Sequence, residues 1–164
     1  MRETDKYIFF WKAIISNWHI CKFTVNDVEY NTSEQYFMHQ KAMTFHNYDI
    51  AQKILQSKNP KEQKALGRKV SGFDYVIWNT IRYKVMLKGN YEKFSQDEFS
   101  RKKLLETGNK ILVEASPYDI IWGIGLEEDD ERILNEREWK GQNLLGKVLM
   151  EVREKLRNKE NENL

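Results

Sequence analysis

The chain has 164 residues, with 27 Lys and Arg against 25 Asp and Glu, for a formal net charge of +2 with His neutral. That near-balance excludes the global basic field that drives non-specific nucleic-acid binding, though not a local anion pocket. The length suits one domain, and the single Cys21 excludes an internal disulfide.

The N-terminal segment MRETDKYIFFWK carries no long apolar stretch or small-residue cleavage site, and no apolar run reaches membrane-spanning length. These features predict a soluble, cytoplasmic protein with no membrane partner. Tyr7 to Trp11 is aromatic and β-branched, which predicts a strand, and Trp11 is expected in the core. Phe23, Val25, Val28 and Tyr30 flank Asn26-Asp27, a pattern that predicts a tight hairpin. Thr32-Ser33-Glu34-Gln35 reads as a capping box, with a helix following to about Phe45.

Further helices are expected from Tyr48 to Gln56, after the Asn59-Pro60 start signal, from Asp74 to Phe94, and from Gln96 to Glu106. Gly89-Asn90 is a potential break in the long one. Ile111 to Ala115 reads as a strand, Ser116 to Asp119 as a turn, and Glu127 to Glu131 as a solvated acidic loop. The last helix is expected from about Gly141 to Leu156, with Leu144, Leu145, Val148, Val152 and Leu156 as its buried stripe. Residues 157–164 are polar and are expected to form a disordered tail after a single domain over 1–156. The fold class is α+β, mostly helical around a small, largely antiparallel sheet.

Three stretches can carry chemistry. On a helix, Glu34, Phe37, Met38, Lys41 and Phe45 share one face. Glu34 and Lys41 are then two turns apart, about 10 Å along the axis, so both could reach a sugar lying between them. Spacing alone favours a plainer reading, in which Glu34 tunes the helix start and Lys41 lies along the edge of the core. In LVEASPYDIIWGIG, Asp119 and Trp122 follow a strand end, and Gly123 and Gly125 would let backbone N–H groups approach a phosphate or ribose. The plainer reading makes Asp119 a turn cap and Trp122 a core residue. In WKGQNLLG, Asn143 opens the final helix, where it is either a plain cap or part of an anion site. No GxSxG nucleophile occurs, and His19, His39 and His46 show no metal-ligand spacing, so no metal is expected.

Taken together, these motifs resemble the NADAR family, also called YbiA-like. The resemblance runs through Tyr7 to Trp11, Thr32 to Tyr36, Lys41-Ala42, Ala65 to Arg68 and Trp78. It is densest at Leu112 to Asp119, Ile121 to Leu126 and Trp139 to Gly146, and it continues into Leu149 to Arg153. One departure is the short segment from Lys12 to Trp18, where family members often carry a longer one rich in small residues.

The resemblance implies a pocket for a ribose-phosphate or ADP-ribose moiety and hydrolysis of an N-glycosidic bond without a cofactor. It implies a phosphoribosylamino-pyrimidine of riboflavin synthesis or an ADP-ribosyl-guanine as substrate, the latter including ADP-ribosylated nucleic acid. It carries over Glu34, Lys41 and Asp119 as catalytic groups and Trp78, Trp122, Gly123, Gly125 and Asn143 as substrate-binding ones.

Cleaving a ribosyl C–N bond builds positive charge on the sugar, which a carboxylate in a dry pocket stabilises, while a second carboxylate can move the proton. Lys41 would pair with a phosphate or carboxylate, or attack the opened sugar as a neutral amine. The rival readings are a module that binds ADP-ribose or NAD without cleaving it, and an interaction protein acting through the acidic loop.

Overall fold

The computed structural model describes residues 1–162. They fall into two compact units, Met1–Ser16 with Glu98–Leu164, and Asn17–Asp97. The class is α+β, with six α-helices among the described residues.

In the first unit, β1 (Arg2–Glu3), β2 (Tyr7–Phe10) and β5 (Ile111–Glu114) form a three-stranded sheet in the order β1-β2-β5. β1 pairs antiparallel to β2, but β2 and β5 run parallel, from Tyr7 opposite Ile111 to Phe10 opposite Glu114. The two are joined through a long excursion, as parallel neighbours require. All four residues of β2 are buried, so its run is continuously apolar rather than alternating. Tyr7, Phe9, Val113, Ala115, Ile124, Leu126 and Ile133 form the core on one side, with Trp139 packed against it. α5 (Glu98–Leu105) packs on α6 (Leu144–Glu162), and α6 packs on β5. The buried stripe of α6 is Leu145, Val148, Leu149, Val152 and Leu156. Leu149 thus takes the place expected for Leu144: it lies four residues on from Leu145 and three before Val152 on the buried face, whereas Leu144, the first helical residue, is only half-buried.

α6 also continues to Glu162, beyond the end expected at Leu156. Residues 157–162 are therefore helical where a disordered tail was expected, and residues 163–164 lie outside the described residues. Arg157 explains part of the extension: it donates to Asn109 Oδ1 at 2.9 Å and to the Gly108 carbonyl. Glu160 lies 4.0 Å from Arg101 of α5. Trp11 is a second departure, since it is only half-buried. Its ring lies 6.1 Å from that of Tyr118, and Lys12 Nζ sits 4.4 Å above it.

In the second unit, β3 (Phe23–Val25) and β4 (Val28–Tyr30) form a separate two-stranded antiparallel hairpin. Asn26 and Asp27 take φ of 49° and 63°, the left-handed pair that a two-residue turn of this kind needs. Four helices follow: α1 (Ser33–Thr44), α2 (Tyr48–Gln56), α3 (Pro60–Gly67) and α4 (Tyr75–Gln96).

Thr32 caps α1, its Oγ1 accepting the Gln35 N–H at 2.9 Å. Gln35 Oε1 reaches back past the cap to the Asn31 N–H at 2.7 Å. Its Nε2 donates to the carbonyls of Ile54, Leu55 and Ser57, satisfying the end of α2. α4 runs unbroken through Gly89-Asn90. A Cβ at Gly89 would lie 2.2 Å from Tyr36 Cδ1, so glycine there makes room for the α1 ring instead of ending the helix.

Candidate active site

The second unit carries Glu34, Lys41 and Trp78. Glu34 stands in the first turn of α1, is 5% exposed, and donates its backbone N–H to the Asn17 carbonyl at 3.1 Å. Asn17 Nδ2 in turn donates to Met86 Sδ at 3.3 Å, and Ser33 Oγ donates to Asn90 Oδ1 at 3.1 Å. The start of α1 is thereby tied to the buried face of α4. One turn on from Glu34, Phe37 packs on Trp78 with ring centroids 5.0 Å apart, and Phe45 meets the same indole at 6.4 Å. Trp78 is 6% exposed, so it is a wall of this region and not a projecting platform.

Lys41 is half-buried and donates Nζ to the Gly67 carbonyl at 3.0 Å, at the C-terminal end of α3. The Phe73 ring lies 4.6 Å from the same nitrogen. Burial lowers the Lys41 pKa below the usual lysine value. The positive charge of Arg68 lowers it further, while Glu34 pulls the other way. Glu34 and Lys41 thus share one face of α1 and feel each other electrostatically.

The first unit carries Asp119, Trp122, Gly123, Gly125 and Asn143. Asp119 Oδ1 accepts the N–H groups of Ile121 at 2.9 Å and Trp122 at 2.7 Å, a side-chain turn that sets the course of the following loop. The Asp119 carbonyl accepts the Gly125 N–H at 3.1 Å. Gly125 has φ +69°, and a Cβ at Gly123 would lie 2.9 Å from the Glu114 carbonyl oxygen. Both glycines are therefore demanded by packing and turn geometry within this loop.

Residues 120–124 and 140–145, which contain most of the WGIG and all of the KGQN stretch, are zipped together. Lys140 and Gly141 donate to the Ile124 carbonyl, Gln142 to Ile120, Asn143 to Gly123, Leu144 to Ile121, and Leu145 to Trp122. Asn143 is 2% exposed, has φ 52°, and faces β5. Its Oδ1 accepts the Glu114 N–H at 3.0 Å and its Nδ2 donates to the Leu112 carbonyl at 2.9 Å, so both ends of the amide are engaged by the strand.

Sequence reasoning missed Arg68 and Phe73 beside Lys41, and Arg82 on α4, which is buried at 8% exposure four residues beyond Trp78. The signal for Arg82 was there, since i and i+4 share a helix face. The first unit also holds a cavity of about 600 Å³ lined by Ile8, Trp11, Lys12, Ile14, Ile15 and Lys103 among others, and none of the eight expected site residues lines it. Among the described residues no group of three or more His, Cys, Asp and Glu side chains could hold a metal ion, and no helix is long and apolar enough to cross a membrane.

The NADAR domain family model matches residues 9–157. An N-glycosidase of Acanthamoeba polyphaga mimivirus is 43% identical, with 93% of this chain and 97% of that protein covered. An N-glycosidase of Nostoc punctiforme is 31% identical over 92% and 93% of the two chains. A riboflavin biosynthesis protein of Vibrio vulnificus is 31% identical over 88% of this chain and 35% of its own length. The NMR structure of the Escherichia coli protein YbiA superimposes with a TM-score of 0.79 at 30% identity, covering 98% of this chain and 90% of that one.

Proposed function

The chain belongs to the NADAR domain family, and on that membership we propose that it is an N-glycosidase hydrolysing the C–N bond of a phosphorylated ribosyl compound. The substrate class is a phosphoribosylamino-pyrimidine of the riboflavin type or an ADP-ribosyl-guanine. The match to a riboflavin biosynthesis protein supports the first. The observation that carries the reading is the pairing of buried Glu34 with half-buried Lys41 on one face of α1, beside the Trp78 and Phe37 rings.

Glu34 supplies the negative charge. In a poorly solvated setting a fixed carboxylate stabilises an oxocarbenium-like sugar far better than it could in water. Lys41, whose neutral form is reached more easily than that of a solvated lysine, can accept a proton or attack C1 of the ring-opened sugar. Attack on the ring-opened imine would form an aminal that expels the base as a protonated amine and leaves a Schiff base on Lys41, which water then hydrolyses to the free sugar. Asp119 is assigned as the second carboxylate, with Oδ1 already holding the loop that presents Trp122. Trp122 is assigned to the leaving base, and Gly123, Gly125 and Asn143 to shaping the loop.

The test is a panel of phosphoribosylamino-pyrimidines, ADP-ribosyl-guanine, NAD and ADP-ribose incubated with purified protein, with released base read by mass spectrometry. Release of base from a ribosylated substrate is expected. Binding to ADP-ribose with no release from any member would favour the non-catalytic module instead.

A further inference from the structure

Arg82 is 8% exposed and makes no hydrogen bond, ion pair or ring contact with any described residue. Arginine stays charged at any physiological pH, and a guanidinium has five N–H donors to satisfy. None of the Arg82 nitrogens is among the buried side-chain atoms that lack a partner, so the stem is buried while the guanidinium keeps its donors on solvent, open to an incoming anion.

The position of Arg82 says which anion. It lies on the buried face of α4, four residues from Trp78 and four from Met86, about 6 Å along the axis from each. Trp78 packs on Phe37, one turn from Glu34. Met86 accepts from Asn17, whose own carbonyl holds the Glu34 N–H. Arg82 is therefore bracketed by the two α4 residues that tie that helix to the start of α1. Arg68 stands close enough to Lys41 to disfavour its charge, so cations gather on this side of the unit.

From this placement we infer that Arg82 is the anchor for the phosphate of the substrate, its planar fork binding two phosphate oxygens while the sugar lies toward Glu34. The inference rests on the phosphorylated ribosyl reading but is tested apart from it, because it needs no turnover.

The experiment is calorimetric titration of the full chain and of Arg82→Gln with ribose 5-phosphate and with unphosphorylated ribose, together with thermal melting of both proteins. Two outcomes are expected. Arg82→Gln should weaken ribose 5-phosphate binding roughly tenfold to a hundredfold while leaving ribose unchanged, the loss typical of charged hydrogen bonds. The free variant should melt within a few degrees of the wild type, because the guanidinium has no protein partner to lose.

Retained preference for ribose 5-phosphate in Arg82→Gln would overturn the inference, as would a wild-type chain that binds both sugars equally. A variant that unfolds would also overturn it, since that would make Arg82 a structural residue. Arg82→Lys adds a second reading, because it keeps the charge and loses the fork. A partial loss of phosphate preference is expected there, and full retention would refute bidentate binding. If the phosphate preference behaves as expected but no ribosylated compound is cleaved, the hydrolytic reading fails and the anchor stands.

Discussion

Asn143 is the residue at which motif and geometry most invite opposite readings, and substitution separates them. Its amide accepts the Glu114 N–H and donates to the Leu112 carbonyl, both on β5, and it is 2% exposed. Asn143→Gly deletes the amide while keeping the left-handed φ of 52° at no steric cost. One buried and one part-buried backbone group then lose their partners, at about 1–3 kcal/mol each, or about 2–6 kcal/mol together. For a chain of this size that corresponds to a fall of roughly 4–24 °C in Tm. Asn143→Ala loses the same bonds and also forces a β-carbon into the left-handed region, which costs about 1 kcal/mol more. The order wild type, Gly, Ala in scanning calorimetry is thus the expected signature of a strand-bracing amide. Titration with ribose 5-phosphate well below Tm should then show affinity within a few-fold of wild type. If Asn143→Gly melted with the wild type but lost the ligand, the amide would be a ligand group and the bracing argument would fail.

Glu34→Gln keeps the size of the side chain and removes its charge, so on the confirmed substrate turnover should fall roughly a hundredfold or more with Tm little changed. Asp119→Asn should show the same if it is the second carboxylate, whereas near-normal turnover would leave it only the loop-setting role seen at Oδ1. Lys41 loses its proton more readily than an ordinary lysine, so a nucleophilic role predicts a rate that rises with pH along a limb centred below 10.5. That limb should vanish in Lys41→Arg, and borohydride added during turnover should leave a sugar adduct on Lys41 by peptide mass mapping. Lys93 is fully buried and its pKa is pushed down to about 8 by desolvation, against the pull of Cys21 and Asp97. Between about pH 8 and 10.5 the unfolded chain holds a proton that the fold has released, so this group makes stability rise with pH across that window. Urea titrations at pH 7.5 and 9.5 should show that rise in the wild type and its loss in Lys93→Met.

The elements were legible where a local signal needed no distant partner. Thr32, Asn59-Pro60 and Asn26-Asp27 each act within a few residues, and each sits where its side chain or φ predicts. The pairing of β2 with β5 was not legible, because two strands about a hundred residues apart carry no sign of direction, and β2 has no alternation to reveal which faces are covered. Trp11 shows the converse limit. Its apolar neighbours Phe9 and Phe10 are fully buried, yet its own ring sits at the strand end, half-open beside Lys12. The helix past Leu156 is not legible in the sequence because Arg157 and Glu160 hold it through partners near residues 101 and 108, which the polar tail itself does not disclose.

The same limit explains why these motifs leave the roles of their residues open. WGIG and KGQN are dense with glycine and polar residues, a composition that suits a ligand loop and a self-bonded one equally well. The structure shows much of that chemistry turned inward: the Gly125 N–H on Asp119, the Asn143 amide on β5, and six backbone bonds joining residues 120–124 to residues 140–145. A segment so fully bonded to itself is rigid, and rigidity is what a site needs from the residues that hold its reacting groups in place. On α1 and α4 the division of labour differs. Phe37 and Trp78 form the wall, Lys41 is held by a single carbonyl, and Arg82 has no partner among the described residues. Groups with donors to spare are the ones positioned to meet an incoming anion, so the second unit is where substitution should alter ligand affinity at the least cost in stability.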